Sequence, residues 1–290
     1  MKRSLPIVVI SDVHLGTYGC HAEELLTYLN SIDVETLIIN GDFIDFWQFK
    51  KSYFPEAHLK LIQKIIKMST NGTKVYYITG NHDDKLRAFS DISLGKIHLR
   101  DKLILRLNNQ KYWIFHGDVF DASIRISPFL AKMGGKGYDW LIVINRWINN
   151  FRVRIGRPKM SFSQKVKSSV KKAVKFISDF EELACSLAAK QGFDYVICGH
   201  IHEASIRKVN TSHGQVNYLN SGDWVESLTS LEYNNGSWSI FNFMESELYE
   251  ELEGTKSGSK MSSADFKKDS ESTLRDQNEL MNEFINLINN

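Results

Sequence analysis

Short apolar runs that each end in a carboxylate, an amide or an imidazole constrain this chain more than any other feature. Five such places follow one another: Asp12-Val13-His14, Gly41-Asp42, Gly80-Asn81-His82-Asp83, His116-Gly117-Asp118 and Gly199-His200-Ile201-His202. Short β-branched runs suit strands buried on both faces of a parallel sheet, where ligands gather beyond the carboxyl ends. The donors are those a hard-to-borderline divalent metal accepts, and the absence of thiolate argues against a zinc-finger type of structural site. Seven ligands with one shared carboxylate fit a two-metal centre, whose ions stand about 3.5–4 Å apart. Asp42 is the natural bridge.

The hydropathy pattern alternates between strand and helix in the first third of the chain. Extended segments are expected at 6–11, 36–40 and 74–79, with helices at 21–29 and 58–68. Residues 103–107 and 112–115 flank Asn108-Asn109-Gln110 as a hairpin whose second strand delivers His116. From Asp121 the pattern turns to long helical stretches at 127–132, 138–151 and 161–190, which read as a helical insertion at about 121–190. Strands resume at 195–198, 204–209, 216–219, 227–233 and 237–243, with Asn234-Asn235-Gly236 as a turn between the last two. The expected organisation is a single α/β domain over 1–243, followed by an acidic, Ser/Lys-rich, disordered tail over 244–290 with a terminal amphipathic helix at 274–288.

Charge is sorted along the chain although the net value is only +2. Residues 121–180 carry thirteen Lys/Arg against three Asp/Glu, and residues 244–290 carry five against eleven. A basic stretch confined to one insertion gives no long duplex-tracking surface, so nucleic acid is not expected as a partner. The three cysteines, Cys20, Cys185 and Cys198, have no framework spacing and indicate reduced thiols in a reducing compartment. Ser11-Asp12 cuts the run from Ile7 far short of a signal-peptide core, and no segment reaches the roughly 18 apolar residues of a membrane span. A cytoplasmic protein, peripheral at most on the inner membrane face, is expected.

Taken in order, Asp-x-His, Gly-Asp, Gly-Asn-His, a lone His and Gly-His-x-His resemble the calcineurin-like metallophosphoesterases over about residues 5–243. The resemblance implies a four-layer α-β-β-α sandwich with two metal ions at the strand ends. It further implies that Asp12, His14, Asp42 and His202 bind one ion, and Asp42, Asn81, His116 and His200 the other. His82 would be the catalytic histidine beside the reacting phosphate, stabilising charge or protonating the leaving group. All seven ligand positions are intact, which disfavours a scaffold that has lost its chemistry. Manganese is the expected ion, with Fe, Zn or Co also compatible with four His, Asp and Asn.

Within that family the insertion and the opening Ile10-Ser11-Asp12-Val13-His14-Leu15-Gly16 look most like the UDP-2,3-diacylglucosamine diphosphatases of lipid A synthesis. Well-known members of that group carry Arg directly after the metal-binding Asn, where this chain has His82. The resemblance implies hydrolysis of a lipid-linked nucleotide-sugar diphosphate at an anionic membrane surface, and the departure keeps a general phosphodiesterase or phosphatase open. Arg157, Lys165 and Lys172 are candidate phosphate contacts in the basic stretch, beside the apolar helical face of Trp140, Ile144, Trp147, Ile148 and Phe151. That stretch reads either as a lid taking acyl chains and diphosphate or as the solvated face of a packed helical hairpin. Asp45, Asp83, Asp84, Asp118 and Asp121 lie near ligands and would either orient ligand imidazoles or act as caps and solvated carboxylates. The segment 220–224 would wall the site or form a plain tight turn. His21, His58, His98 and His213 are read as surface or core residues.

Overall fold

The non-alternating apolar runs form central strands. β1 (Arg3–Ile10), β2 (Ile32–Asn40) and β3 (Lys74–Ile78) pair in parallel, with Val8 opposite Leu37 and Leu37 opposite Val75. The computed structural model describes residues 2–48, 53–121 and 163–259, with side chains from 174 to 254 in the last of these. Adding β4 (Ser93–Leu94), β5 (Ile97–Arg100), β11 (Thr229–Asn234) and β12 (Ser237–Asn242) gives a seven-stranded sheet of order β12-β11-β1-β2-β3-β5-β4. A five-stranded sheet, order β6-β7-β8-β10-β9, is built from β6 (Leu103–Leu107), β7 (Gln110–Ile114), β8 (Tyr195–Cys198), β9 (Ser205–Thr211) and β10 (Gly214–Asn220).

The two sheets meet through one apolar cluster, with Ile7, Val9, Ile38 and Ile78 from the first against Leu103, Tyr112, Ile114, Ile197 and Leu219 from the second. On the outer face of the first sheet, α1 (Ala22–Ser31) and α2 (Glu56–Thr70) pack together and on β2 and β3. They bury Leu25, Tyr28 and Leu29, and Leu61, Ile65 and Met68, at the i, i+3, i+4 spacing of one helical face. α3 (Ser163–Lys190) covers the second sheet, where Phe180, Ala184 and Ala188 meet Val196, Cys198, Val216 and Tyr218. The layers are therefore α-β-β-α, as expected. Full burial of a side chain such as Phe180 contributes roughly 1.5–3 kcal/mol, so this face seats the C-terminal half of α3 firmly.

Turn chemistry sets the hairpins. Asn108 and Asn109 both adopt positive φ between Leu107 and Gln110, as do Asn235 and Gly236 between Asn234 and Ser237, the mirror-image turn that matches strand twist. The edge pair β4/β5 escaped the sequence reading because β4 has only two residues and hinges on Gly95 at φ +60°.

Met1–Met244 form one compact unit and Glu245–Asn290 a second. In the latter, α4 (Glu247–Ser259) corrects the expectation of disorder for that stretch, and residues 260–290 lie outside the described residues. Glu247 and Glu250 in its first turn complement the N-terminal end of the helix dipole, and Leu and Glu are strong helix formers, which the acidic composition masked. The expected helices at 127–132, 138–151 and 274–288 lie outside the described residues, as does Arg157; Lys165 and Lys172 lie on α3. No helix among the described residues is long and apolar enough to cross a membrane. Cys185 and Cys198 are buried and Cys20 is half-buried, all unpaired.

His58, buried on α2, accepts the Gly16 N–H through Nδ1 at 3.1 Å. Burial pushes its imidazole down to about 4. The unfolded chain takes up this proton near pH 6.5 and the folded chain only near pH 4, so the stability contribution is complete at neutral pH and lost as pH falls through that window. Between pH 7 and 5 this loss is about 1–2 kcal/mol. Urea unfolding at both pH values is expected to show a smaller loss for His58→Gln, whose amide can still accept from Gly16.

Candidate metal centre

Six parallel strands end at the same place. Asp12 and His14 follow β1, Asp42 follows β2, Asn81 and His82 follow β3, His116 follows β7, His200 and His202 follow β8, and Asp223 follows β10. Beyond the regular strands the first two loops still run side by side: Asp12 N–H donates to Gly41 O (3.1 Å), His14 N–H to Asp42 O (2.9 Å) and Leu15 N–H to Phe43 O (2.8 Å). Val13 and Leu15 point into the core and are fully buried, which turns Asp12 and His14 toward the site.

The backbone is unusual there. Asp12, His14, Asp42, His200 and His202 all have φ between 53° and 67°, a left-handed conformation costing a non-glycine residue roughly 1–2 kcal/mol. Glycines supply the clearance around them. A Cβ on Gly199 would stand 2.7 Å from both Asp12 Oδ2 and Ser11 Oγ, and one on Gly80 would collide with the Asp42 carboxylate and lie 2.8 Å from His116 Cδ2.

Each central carboxylate divides its two oxygens between structure and site. Asp12 Oδ2 accepts the His200 N–H (3.0 Å), while Oδ1 faces His202 Nε2 at 3.3 Å and His116 Nε2 at 4.0 Å. Asp42 Oδ1 accepts the His82 N–H (2.8 Å), while Oδ2 lies 3.2 Å from His116 Nε2 and 3.9 Å from His14 Nε2. Asp42 thus belongs to a cluster with His116 and His200 and also faces His14 of a cluster of Asp12, His14 and His202, each with its donor atoms within 4.8 Å of one another.

Orphaned atoms test whether cations fit. Asp12 Oδ1, His14 Nε2, Asn81 Oδ1 and His116 Nε2 are buried and find no hydrogen-bond partner in the protein. Such groups are costly to bury unless something satisfies them, and these four are oxygen and imidazole donors on the loops that follow β1, β3 and β7. Three outward-facing nitrogens are occupied instead: His14 Nδ1–H donates to Asp45 Oδ2 (3.1 Å), His116 Nδ1–H to Asn40 O (2.8 Å) and His200 Nε2–H to Asp121 Oδ1 (2.7 Å), while His202 Nδ1 stays 3.8 Å from Asp223 Oδ2, beyond hydrogen-bond distance. Such partners fix the tautomer of an imidazole and aim its other nitrogen at an ion.

The electrostatics ask for positive charge. Burial would raise the Asp12 carboxyl, but the imidazoles of His202, His116 and His14 outweigh it and hold it well below the usual carboxylate range. The same competition, with His116 and His14, leaves Asp42 at about 2. In return, Asp12 and Asp223 overcome the effect of burial to lift His202 to about 9, and Asp42 and Asp12 lift His116. A cation entering here would displace those protons. Asp83, buried beside Asp42, is raised to about 6.

His82 sits at the rim of this array. Its Nδ1 lies 2.9 Å from Asp45 Oδ2, and its ring packs edge-on against His14 and beside the exposed Trp47. Burial lowers its pKa, but Asp45 and Asp42 more than reverse this, so the net shift is upward. Of the acids flagged in the sequence, Asp45 hydrogen-bonds to His14 and Asp121 to His200. Asp83 instead accepts the Phe43 and Gly80 N–H groups and the Tyr77 hydroxyl, and Asp118 pairs with Arg87 at 3.0 Å. Asp84 is exposed at the start of a 3-10 turn. Segment 220–224 does wall the site, since Trp224 N–H donates to Asp12 O (3.1 Å) and Ser11 Oγ meets Ser221 Oγ at 2.7 Å. The sequence reading missed the Asn40 carbonyl and Trp47, and took Asp223 only as part of the wall at 220–224, not as a neighbour of His202.

The profile of the calcineurin-like phosphoesterases matches residues 5–204. The chain belongs to that family. As a calcineurin-like phosphoesterase it is a hydrolase of phosphoester bonds with clustered metal-binding residues. It is 24% identical over 243 residues to the UDP-2,3-diacylglucosamine hydrolase of Aliivibrio fischeri, covering 81% of this chain and 98% of the relative. The enzyme of the same name from Blochmanniella pennsylvanica is 25% identical over 253 residues, with 85% and 98% covered. Among solved structures, the E. coli phosphoesterase Yfce aligns over 82% of this chain and 92% of its own at 14% identity, with a TM-score of 0.42.

Gly80→Ala puts a methyl group into the Asp42 carboxylate and the His116 ring. Titration calorimetry is expected to show loss of stoichiometric Mn²⁺ binding by this variant, with its circular dichroism spectrum unchanged.

Proposed function

We propose that this phosphoesterase hydrolyses the diphosphate of UDP-2,3-diacylglucosamine, adding one water across the P–O–P bridge to give UMP and 2,3-diacylglucosamine 1-phosphate. The observation that supports the chemistry is Asp42 Oδ2, which lies 3.9 Å from His14 Nε2 and 3.2 Å from His116 Nε2, one imidazole of each cluster, so that it would serve both cations. Asp12, His14, Asp42 and His202 would hold one cation, and Asp42, Asn81, His116 and His200 the other, with Mn²⁺ suited to this donor set. When bound, the ions make water nucleophilic at neutral pH and offset charge on the phosphoryl oxygens. The substrate reading is supported by relatives of that name matched over 98% of their length. Thirteen Lys/Arg in residues 121–180 suit a phosphorylated, acylated substrate presented at an anionic membrane surface.

The remaining work falls to side chains of this protein. Asp45 Oδ2 stands 2.9 Å from His82 Nδ1 and favours the protonated ring, with the second nitrogen left for a phosphoryl or leaving oxygen. The resulting positive charge favours the more highly charged transition state, which is the main contribution open to a protein in phosphoryl transfer. His82→Ala should lower kcat about 10²–10³-fold while two Mn²⁺ per chain are retained, as measured by steady-state kinetics alongside elemental analysis.

A second reading has its own observation. The resemblance to the diphosphatase group implies Arg after Asn81, and His82 presents there a shorter, titratable cation, which suits a general phosphodiesterase or phosphatase. Mass spectrometry of products decides between the two, using protein with Mn²⁺, UDP-2,3-diacylglucosamine, an aryl phosphodiester and an Asp42→Asn control. Release of UMP and the acylated sugar phosphate, absent in the control, is the expected result. Cleavage of the aryl ester alone would overturn the lipid substrate and keep the metal chemistry.

A further inference from the structure

We infer that Asp121 is a positioning residue for the second cation, acting through His200. The inference rests on the two-cation reading above and adds a residue outside the motifs that define the site. Asp121 Oδ1 accepts the His200 Nε2–H at 2.7 Å, which leaves Nδ1 as the ligating nitrogen. No other described residue bonds to that imidazole nitrogen. The ring itself is largely enclosed, its side chain 12% exposed against 41% for Asp121. His116 packs against it edge-on with centroids 5.2 Å apart, and Phe180 lies 6.2 Å away.

The origin of these two neighbours makes the contact more than a local hydrogen bond. Asp121 stands near the start of the long connection between β7 and β8, and Phe180, on α3, stands near its end. Phe180 is fully buried and presses on Gly117, where a Cβ would come within 2.6 Å of its Cζ. One ligand imidazole is therefore held from both ends of a single connection, by a charge-assisted hydrogen bond on one side and apolar packing on the other. A carboxylate on the outer nitrogen of a ligating histidine raises its basicity and locks its orientation, and loss of such a partner weakens metal binding about 10–100-fold.

Mn²⁺ titration of the full chain by calorimetry, with electron paramagnetic resonance on the loaded protein, tests this. Wild type should bind two ions and give the spectrum of a coupled pair. Asp121→Ala and Asp121→Ser should keep the first ion at wild-type affinity, bind the second about 10–100-fold more weakly, and shift to an isolated-ion spectrum at limiting Mn²⁺. Asp121→Asn, which retains an acceptor oxygen, should stay within a few-fold of wild type. Two ions bound to Asp121→Ala as in wild type, or equal weakening of both ions, would overturn the assignment. Wild type that binds no second ion would instead sink the two-cation reading itself. In the Zn²⁺-loaded protein, long-range ¹H–¹⁵N spectra should show His200 protonated at Nε2, and the opposite tautomer would also overturn the role of Asp121.

Discussion

The rest of the structure depends on two buried carboxylates, Asp12 and Asp42, that face four imidazoles across the ends of parallel strands. An isolated carboxylate in such a place would be protonated rather than charged. Here burial loses to the imidazoles, and both acids stay ionised. One oxygen of each ties down a neighbouring loop through the backbone N–H of His200 or His82, and the other is directed into the shared space. The same side chain that needs positive charge therefore also holds the loops that bring it.

The fold explains why this arrangement can persist. Left-handed conformations at Asp12, His14, Asp42, His200 and His202 are unfavourable singly and survive only where surrounding structure over-determines them. Paired loops extending β1 and β2, the anchoring side chains of Val13 and Leu15, and glycines 80 and 199 packed against Asp42, His116 and Asp12 provide that constraint. Outer partners complete it, because His14, His116 and His200 bond to an oxygen of Asp45, Asn40 and Asp121 on the side away from the cluster, and Asp223 lies 3.8 Å from His202.

Much of this was legible in the sequence because strand burial and ligand chemistry leave local marks. The runs before Asp12 and Asp42 are apolar without alternation, the Asn-Asn and Asn-Gly turns declare themselves, and the donor types name the chemistry. What stayed hidden is what depends on tertiary contact. A backbone carbonyl such as that of Asn40 has no sequence signature, and Asp223 lies on a loop whose proximity to His202 follows from the pairing of β8 with β10. Adjacent acids cannot be sorted without coordinates either: Asp83 holds two backbone amides while Asp84 faces solvent. The helix at Glu247–Ser259 was missed because its charged, Ser-containing composition resembles that of a disordered segment, while local helix propensity prevails.

Anomalous scattering at the manganese edge from crystals of the full chain grown with Mn²⁺ tests the central claim most directly. The account predicts two peaks about 3.5–4 Å apart, one beside Asp12, His14 and His202 and one beside Asn81, His116 and His200, with Asp42 in contact with both. A single peak, or two that do not share Asp42, would contradict it.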